Sequence, residues 1–250
     1  MKNNISENIL SILFPPRCLY CGKRVEVGLD ICDECERKLN RISPPYCLCC
    51  GTSLDDCTCR KQAHAYGEVV APFYYEGPVR ELLLQLKYGG KEDIARYLAG
   101  EMTKVIRERF FGIRFDLLTC VPTTADRFDS RGYNQAQSLA ELLAPDPQTG
   151  LLEKVERDYY VLKKHPTGKM QHFLGASGRR ANIRNAFSLR PGRSVEGKTI
   201  LLVDDIVTTG ATAEECTEIL RLNGARQVEV ACAAVTRTKA LQNGRKDLLF

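Results

Sequence analysis

The chain has 250 residues, and its 44% apolar and 27% charged composition is that of a packed globular protein, which excludes disordered and collagen-like classes. Its 36 Lys and Arg against 31 Asp and Glu leave a mild net charge of +5. No apolar run approaches the ~20 residues that cross a bilayer. The first such run, Ile9 to Phe14, is closed by Pro15 and Pro16 and lacks the flanks of a secretory leader, so a cytoplasmic protein with no membrane partner is expected.

In chain order, the pattern predicts an amphipathic N-terminal helix, a cysteine module and an α/β domain, divided as residues 1–62 and 63–250. Nine of the twelve cysteines fall between Cys18 and Cys59. In a reducing compartment such density points to metal rather than disulfides. Cys18-x-x-Cys21 with Cys32-x-x-Cys35 offers two pairs of thiolates that close a tetrahedral Zn²⁺ shell at ~2.3 Å, a structural site with no open position. Cys47, Cys50, Cys57 and Cys59 form a second set, less regular because one residue separates its last pair. Cys49 is an alternative ligand there, and His64 a further one. Residues 1–63 carry nine Lys and Arg against eight Asp and Glu, and eight zinc-bound thiolates turn that balance to about −3. A module of that sign is poorly suited to neutralising phosphates, so a scaffold or partner-docking role is expected.

Phe115 to Pro122 reads as a buried strand, and the loop after it is expected to meet a ligand, with Thr123 and Thr124 as donors to pyrophosphate and Arg127 or Arg131 as counter-charge. A helix then starts at Gly132 and runs through Leu139, Leu142 and Leu143. From Lys163 to Arg193 there are eight Lys and Arg and no acid, a stretch that expects an anion. Gly192-Arg-Ser-Val-Glu-Gly-Lys-Thr199 matches the spacing of a P-loop, but it leads into a strand instead of following one, so it is set aside.

The most informative segment runs from Thr199 to Gly224. Ile200 to Val203 is continuously apolar, the mark of a buried parallel strand, and Cys216, Ile219, Leu220 and Leu222 make one side of a helix stopped at Asn223-Gly224. Asp204 and Asp205 are expected at the carboxyl end of the strand, where open α/β sheets bind ligands. Thr208, Thr209, Gly210, Ala211 and Thr212 turn the chain into the helix and present N–H groups and hydroxyls at the positive end of its dipole, a cup for a monophosphate. The carboxylates beside it can accept hydrogen bonds from vicinal hydroxyls, so a ribose 5-phosphate suits both halves.

This segment resembles the phosphoribosyl pyrophosphate (PRPP) signature of type I phosphoribosyltransferases. The resemblance implies that Asp204 and Asp205 bind the ribose 2′ and 3′ hydroxyls and that Thr208 to Thr212 hold the 5-phosphate. Purine-salvage members carry an Asp where this chain has Thr208, which makes a purine acceptor less expected. Together with the cysteine module, Leu13-Phe-Pro-Pro-x-Cys-x-x-Cys21, Leu86-Lys-Tyr88, Arg131-Gly-Tyr-Asn-Gln135 and Thr167-x-x-x-Gln171-x-x-Leu174 with Arg179-x-x-Asn182, the signature is similar to the ComF family of competence proteins. Two departures stand out: most members have Thr-x-x-Gln, and Tyr133 stands where Phe is common.

The resemblance implies an α/β fold, a type I phosphoribosyltransferase-like parallel sheet flanked by helices and preceded by a small zinc-ribbon module. Asp158 to Leu162 is then the second core strand, followed by a mobile loop whose Lys163, Lys164, Lys169, Arg179 and Arg180 match pyrophosphate charge, while Lys87 approaches from the other side. The candidate substrate-binding set is Lys87, Pro122, Thr123, Thr124, Asp204, Asp205 and Thr208 to Thr212; Asp204, Asp205 and Arg131 are the candidate catalytic residues. The function implied is PRPP-dependent transfer to an unknown acceptor with Mg²⁺, in support of DNA uptake in natural transformation. The alternatives are a PRPP or nucleotide-binding regulator without turnover, and an adaptor that handles single-stranded DNA and docks a helicase-like competence protein through its zinc module.

Overall fold

A computed structural model describes residues 15–59, 64–124, 132–165 and 186–237 of the chain. The N-terminal helix expected before Pro15, Arg127, Arg131 and the stretch from Thr167 to Asn182 lie outside these residues.

Six parallel strands build the main sheet. They are β1 (Val69–Val70), β2 (Phe73–Tyr74), β3 (Leu117–Cys120), β4 (Glu156–Arg157), β7 (Thr199–Val207) and β8 (Gln227–Val235). Their order is β1-β8-β7-β3-β4, with β2 also on β8, and all the pairings are parallel. The sequence of β7 is apolar without alternation because both faces are covered. Leu201 and Val203 enter one core, and Ile200 and Leu202 the other. Against the first face lie α2 (Gly77–Gly89), α3 (Glu92–Arg109) and α4 (Gln135–Leu142), through Leu82, Leu86, Leu98, Met102 and Leu139. Against the second lies α5 (Ala211–Leu222), through Ala213, Cys216 and Leu220. Each such leucine, fully buried, contributes about 1.5–3 kcal/mol.

Local signals bound these helices. Pro78 sits in the first turn of α2, and Gly90, at φ 57°, ends it with its N–H on the Leu86 carbonyl. Glu92 and Asp93 open α3 and Arg107 and Arg109 close it, as the helix dipole favours. Among the described residues no helix is long and apolar enough to cross a membrane.

Two strands differ from expectation. The segment 158–162 is not the second core strand: β4 is Glu156–Arg157, paired with Leu117 and Leu118. The chain then turns, Asp158 capping the Tyr160 N–H at 2.9 Å, and Leu162–Lys164 becomes β5, antiparallel to β6 (Phe187–Leu189) in a separate ribbon. Lys163 and Lys164 therefore stand on a strand rather than in a loop. Second, β7 runs four residues past Val203. Its β3 partner stops at Cys120, opposite Val203, but β8 continues the ladder through Asp204↔Cys232, Ile206↔Ala234 and Val207↔Val235.

The cysteine module packs on the sheet domain. It holds a four-residue helix α1 (Asp33–Glu36), and Cys18, Ile31, Cys35 and Leu39 join the core that α2 and α3 cover. Ile42 donates its N–H to the Pro72 carbonyl at 3.1 Å, and Tyr74 accepts from the Ser53 N–H while donating to Asp56.

Candidate functional site

The two cysteine clusters repeat one local design. Cys18-Leu-Tyr-Cys21-Gly22 and Cys47-Leu-Cys-Cys50-Gly51 each fold into a knuckle whose glycine, at φ 72°, returns its N–H to the first cysteine's carbonyl at 2.9 Å. The sulfurs of Cys18, Cys21, Cys32 and Cys35, and those of Cys47, Cys50, Cys57 and Cys59, lie within 4.8 Å of one another in each set. A tetrahedron with ~2.3 Å bonds has edges of roughly 3.8 Å. The Cys21–Cys32 pair at 3.7 Å and the Cys47–Cys59 and Cys50–Cys57 pairs at 3.6 Å fit it; Cys57–Cys59, joined by one residue, is tighter at 3.3 Å. Burial opposes the thiolate at Cys18, but the N–H groups of Cys21, Cys32 and Tyr20 outweigh it and bring the thiol to about 6. Neither alternative ligand is one of the four clustered sulfurs, although the Cys49 thiol lies beside Cys47 and Cys59. Cys49 occupies the position that Tyr20 takes in the first knuckle, and His64 turns to Glu214 at 3.2 Å and stacks on Tyr66.

The second candidate site follows from the early end of β3. Beyond Cys120 no strand among the described residues pairs with this edge of β7, and a cleft opens there. Lys87 from α2, Pro122 and Thr123 after β3, Asp204 and Asp205 on β7, and Thr212 on α5 line it together. Sequence reasoning missed Val121 and Ile206 as lining residues, named Asn134 and Gln135 only within a motif, and gave Lys164 to a loop; all line the cleft. Asn134 is fixed twice over, since its amide donates to the Val121 carbonyl at 3.0 Å and its oxygen caps the Ala136 N–H at 3.1 Å. The remaining candidates lie at its margin. Thr208 and Thr209 are exposed in the turn, Gly210 is the N-cap of α5 at φ 77°, Ala211 is its first residue, and Thr124 follows Thr123 outside the lining.

Asp204 is 8% exposed. Burial pushes its carboxyl well above the usual carboxylate range, the neighbouring Asp205 adds to the shift, and Lys164 opposes it weakly. The two side chains turn back on the strand, each accepting the next residue's N–H at 2.8 Å. An acid pair, one member buried and the other half-buried, facing a cleft with two lysines on its walls is a receptor for groups that donate to carboxylates, and the amide-rich N-terminus of α5 beside it suits an anion.

Known families match two separate parts of the chain. Residues 9–67 match the double zinc ribbon domain and residues 128–247 the phosphoribosyl transferase domain. The DNA utilization protein YhgH of Escherichia coli O157:H7 is 30% identical over 222 residues, which cover 88% of this chain and 90% of that protein. Competence protein F of Haemophilus influenzae is 28% identical over 228 residues, covering 86% and 94%. Competence protein ComFC of Streptococcus pneumoniae is 25% identical over 237 residues, covering 85% and 97%.

Proposed function

This chain belongs to the ComF family of competence and DNA-utilization proteins, and from that premise we propose that its cleft binds PRPP and transfers the phosphoribosyl group to an acceptor. The sheet domain has the type I phosphoribosyltransferase fold, and the cysteine module is a double zinc ribbon whose two clusters suit structural Zn²⁺. The observation that carries the proposal is the convergence of Asp204, Asp205, Thr123, Thr212, Lys87 and Lys164 on one cleft at the carboxyl end of a parallel sheet.

In this reading the turn from Thr208 to Thr212 holds the 5-phosphate, and Asp204 and Asp205 accept hydrogen bonds from the ribose hydroxyls. The N–H groups and hydroxyls of Thr123 and Thr124 hold pyrophosphate, with Lys87 and Lys164 as counter-charges. The bond from C1 to pyrophosphate breaks with its electron pair leaving on pyrophosphate, and the acceptor's nucleophile forms the new bond at C1. Mg²⁺, bound with PRPP, supplies further charge neutralisation of the leaving group. The residues contribute position and electrostatics rather than a covalent intermediate. Burial strengthens the hold of the Asp204 carboxyl on its proton, and cations entering the cleft oppose that shift and favour the carboxylate that accepts hydrogen bonds. The cytoplasm is the compartment proposed, and use of incoming DNA the process served, in line with the names of the relatives.

Isothermal titration of PRPP with and without Mg²⁺, followed by a pyrophosphate-release screen over bases, amines and DNA, tests the proposal. Binding that Asp204→Asn with Asp205→Asn abolishes, and release with one acceptor class, is expected; a wild-type chain that ignores PRPP refutes it. A second reading, an adaptor that grips single-stranded DNA without turnover, draws on Tyr160. That ring is 50% exposed, and the Arg190 guanidinium lies 5.7 Å from its centroid, beside Lys163. It predicts that the double Asn variant keeps DNA binding, with a steep loss of affinity as salt rises.

A further inference from the structure

Between the second zinc ribbon and the phosphate turn stands one buried tyrosine. Tyr66 is 4% exposed, and its hydroxyl donates to the carbonyl of Cys49 at 3.2 Å. That carbonyl is displayed by the knuckle between the ligand positions Cys47 and Cys50, so its place is set by the fold of the second cluster. On its other side the same hydroxyl abuts Gly210, where a Cβ would stand 2.9 Å from the oxygen. Gly210 is the N-cap of α5, and its carbonyl accepts the Glu214 N–H at 2.8 Å to begin the helix. The residues around Tyr66 hold the same junction. His64 stacks on its ring at 4.6 Å and meets Glu214, and the Ala65 N–H donates to both oxygens of Glu214 at 2.9 and 3.0 Å.

Gly51, which closes the second knuckle, is wedged equally tightly. A Cβ there would stand 3.0 Å from the Val69 carbonyl oxygen and 3.4 Å from Val235, so the knuckle is seated on the ends of β1 and β8. Interiors packed this closely transmit displacement rather than absorb it. The first cluster has no such route among the described residues: Cys18 and Cys35 pack into the core under α2 and α3, and the Cys18-to-Gly22 knuckle borders Gln85, Lys91 and Asp93.

We propose that Tyr66 is a positioning residue that ties the second cysteine cluster to the phosphate turn, so that the turn's grip on a sugar phosphate depends on the second cluster's zinc more than on the first's. The inference rests on the reading of the cleft as a PRPP site and adds to it a metal-dependent control confined to one half of that site. The hydroxyl acts as a stop. Held by the Cys49 carbonyl, it fixes how far Gly210 can shift, and with it the direction of the first N–H groups of α5. The pyrophosphate half, built from Pro122 to Thr124, has no contact with Tyr66 among those described and is predicted to be indifferent to it.

The test titrates ribose 5-phosphate and pyrophosphate separately into the full chain with both zincs bound, into Tyr66→Phe, and into Cys57→Ser and Cys21→Ser, with zinc per chain measured by mass spectrometry. Hydrogen exchange of the amides from 209 to 213 is followed without ligand. Tyr66→Phe keeps the ring in its pocket and is expected to weaken ribose 5-phosphate about five- to tenfold, the loss of one well-placed hydrogen bond, with pyrophosphate affinity within about twofold of wild type. Cys57→Ser is expected to lose one zinc and match that shift, and adding Tyr66→Phe to it changes little further, because the two substitutions cut one link. Cys21→Ser also loses one zinc but weakens ribose 5-phosphate less than Cys57→Ser does. Exchange at 209–213 quickens in the first two variants.

A parallel fall in both affinities would make Tyr66 a general structural residue and overturn the proposal. Equal effects of the two cysteine substitutions, or unchanged exchange in Tyr66→Phe, would do the same. Should Cys57→Ser fail to fold, Tyr66→Phe decides alone through its affinity ratio and its exchange. A wild-type chain that binds neither probe refutes the PRPP reading, while exchange without ligand still shows whether the coupling exists.

Discussion

The cysteine module and the sheet domain solve the same problem of holding a backbone in place by opposite means. The strands β7 and β8 share nine-residue ladders, and from Ile200 to Val203 and Val230 to Ala234 every residue is buried. The module from Pro15 to Cys59 has one four-residue helix and one three-residue turn of 3₁₀ helix, and its buried apolar residues are few: Cys18, Ile31, Cys35, Leu39, Ile42 and Cys47. Hydrophobic burial can sustain the first; the second has too little apolar surface to offset its chain entropy and needs its metal. The cleft is lined from the sheet and its helices, and the module sets the Cys49 carbonyl against Tyr66 beside the turn that opens α5.

Metal removal separates the two regions most sharply. Structural zinc contributes on the order of 10 kcal/mol to a small zinc-bound module. A strong chelator is therefore expected to release two Zn²⁺ per chain, open residues 15–59 to proteolysis and rapid exchange, and leave the amides of β7 and β8 protected. Because Cys18, Ile31 and Cys35 belong to the core under α2 and α3, the sheet domain should also melt at lower temperature once the module opens. If β7 and β8 lose protection together with the module, the two regions form one cooperative unit and are not held in place by separate means.

Asp204 tests the other side of the comparison, since burying its carboxyl costs the sheet stability. Its carboxyl is raised by burial and then by Asp205, so the folded state binds its proton more tightly than the unfolded one. The consequence is that folding loses stability as pH rises from the unfolded value of about 3.9 through the raised folded value. Asp204→Asn is expected to raise the melting temperature at neutral pH, by roughly 2–4 °C for each kcal/mol relieved, with the gain shrinking as pH falls toward 4. Melting curves at pH 4, 6 and 8 check this; a gain that grows with acidity would reverse the assignment. The same variant should lose PRPP, which would make Asp204 a residue kept for binding at a cost to stability.

How much of this was legible differs between the regions for the same reason. Cys-x-x-Cys spacing is a local property, so the two sets of four were readable, while the choice between Cys50 and Cys49 waited on the folded knuckle, whose glycine returns to the Cys47 carbonyl. The segment from Thr199 to Thr212 was likewise readable, because strand, acid pair and helix start follow one another along the chain. What escaped reading was set by partners distant in sequence. The four extra residues of β7 depend on where β3 stops and β8 continues, and the short β4 depends on its register with Leu117 and Leu118. Lys164 reaches the cleft because β5 pairs with β6, and Tyr66 gained its place only through Cys49, 17 residues before it, and Gly210, far after it. No local pattern marks such a tyrosine; its burial beside a positive-φ glycine does.

The smallest expected effect lies at the seam between the regions. Arg41, from the module, meets Glu101 of α3 and Glu36 of α1 at 2.5 Å each, and its guanidinium sits 4.8 Å from the Phe73 ring centroid. Burial works against the Glu101 carboxylate, but Lys104 and Arg41 prevail and hold it below its usual range. An acid lowered in this way adds stability above its unfolded value and loses it as pH falls through the folded one, so the seam should weaken below about pH 4.5. Arg41 is 40% exposed, which discounts the pair toward the surface value, and Glu101 keeps Lys104 when Arg41 is gone. Arg41→Ala is therefore expected to cost about 1 kcal/mol, and its coupling with Glu101→Gln in a double-mutant cycle to be about 0.5–1 kcal/mol at pH 7 and to shrink as acid protonates Glu101. A coupling several times larger would mean that charge, and not the apolar packing of Ile31, Cys35 and Leu39, joins module to sheet.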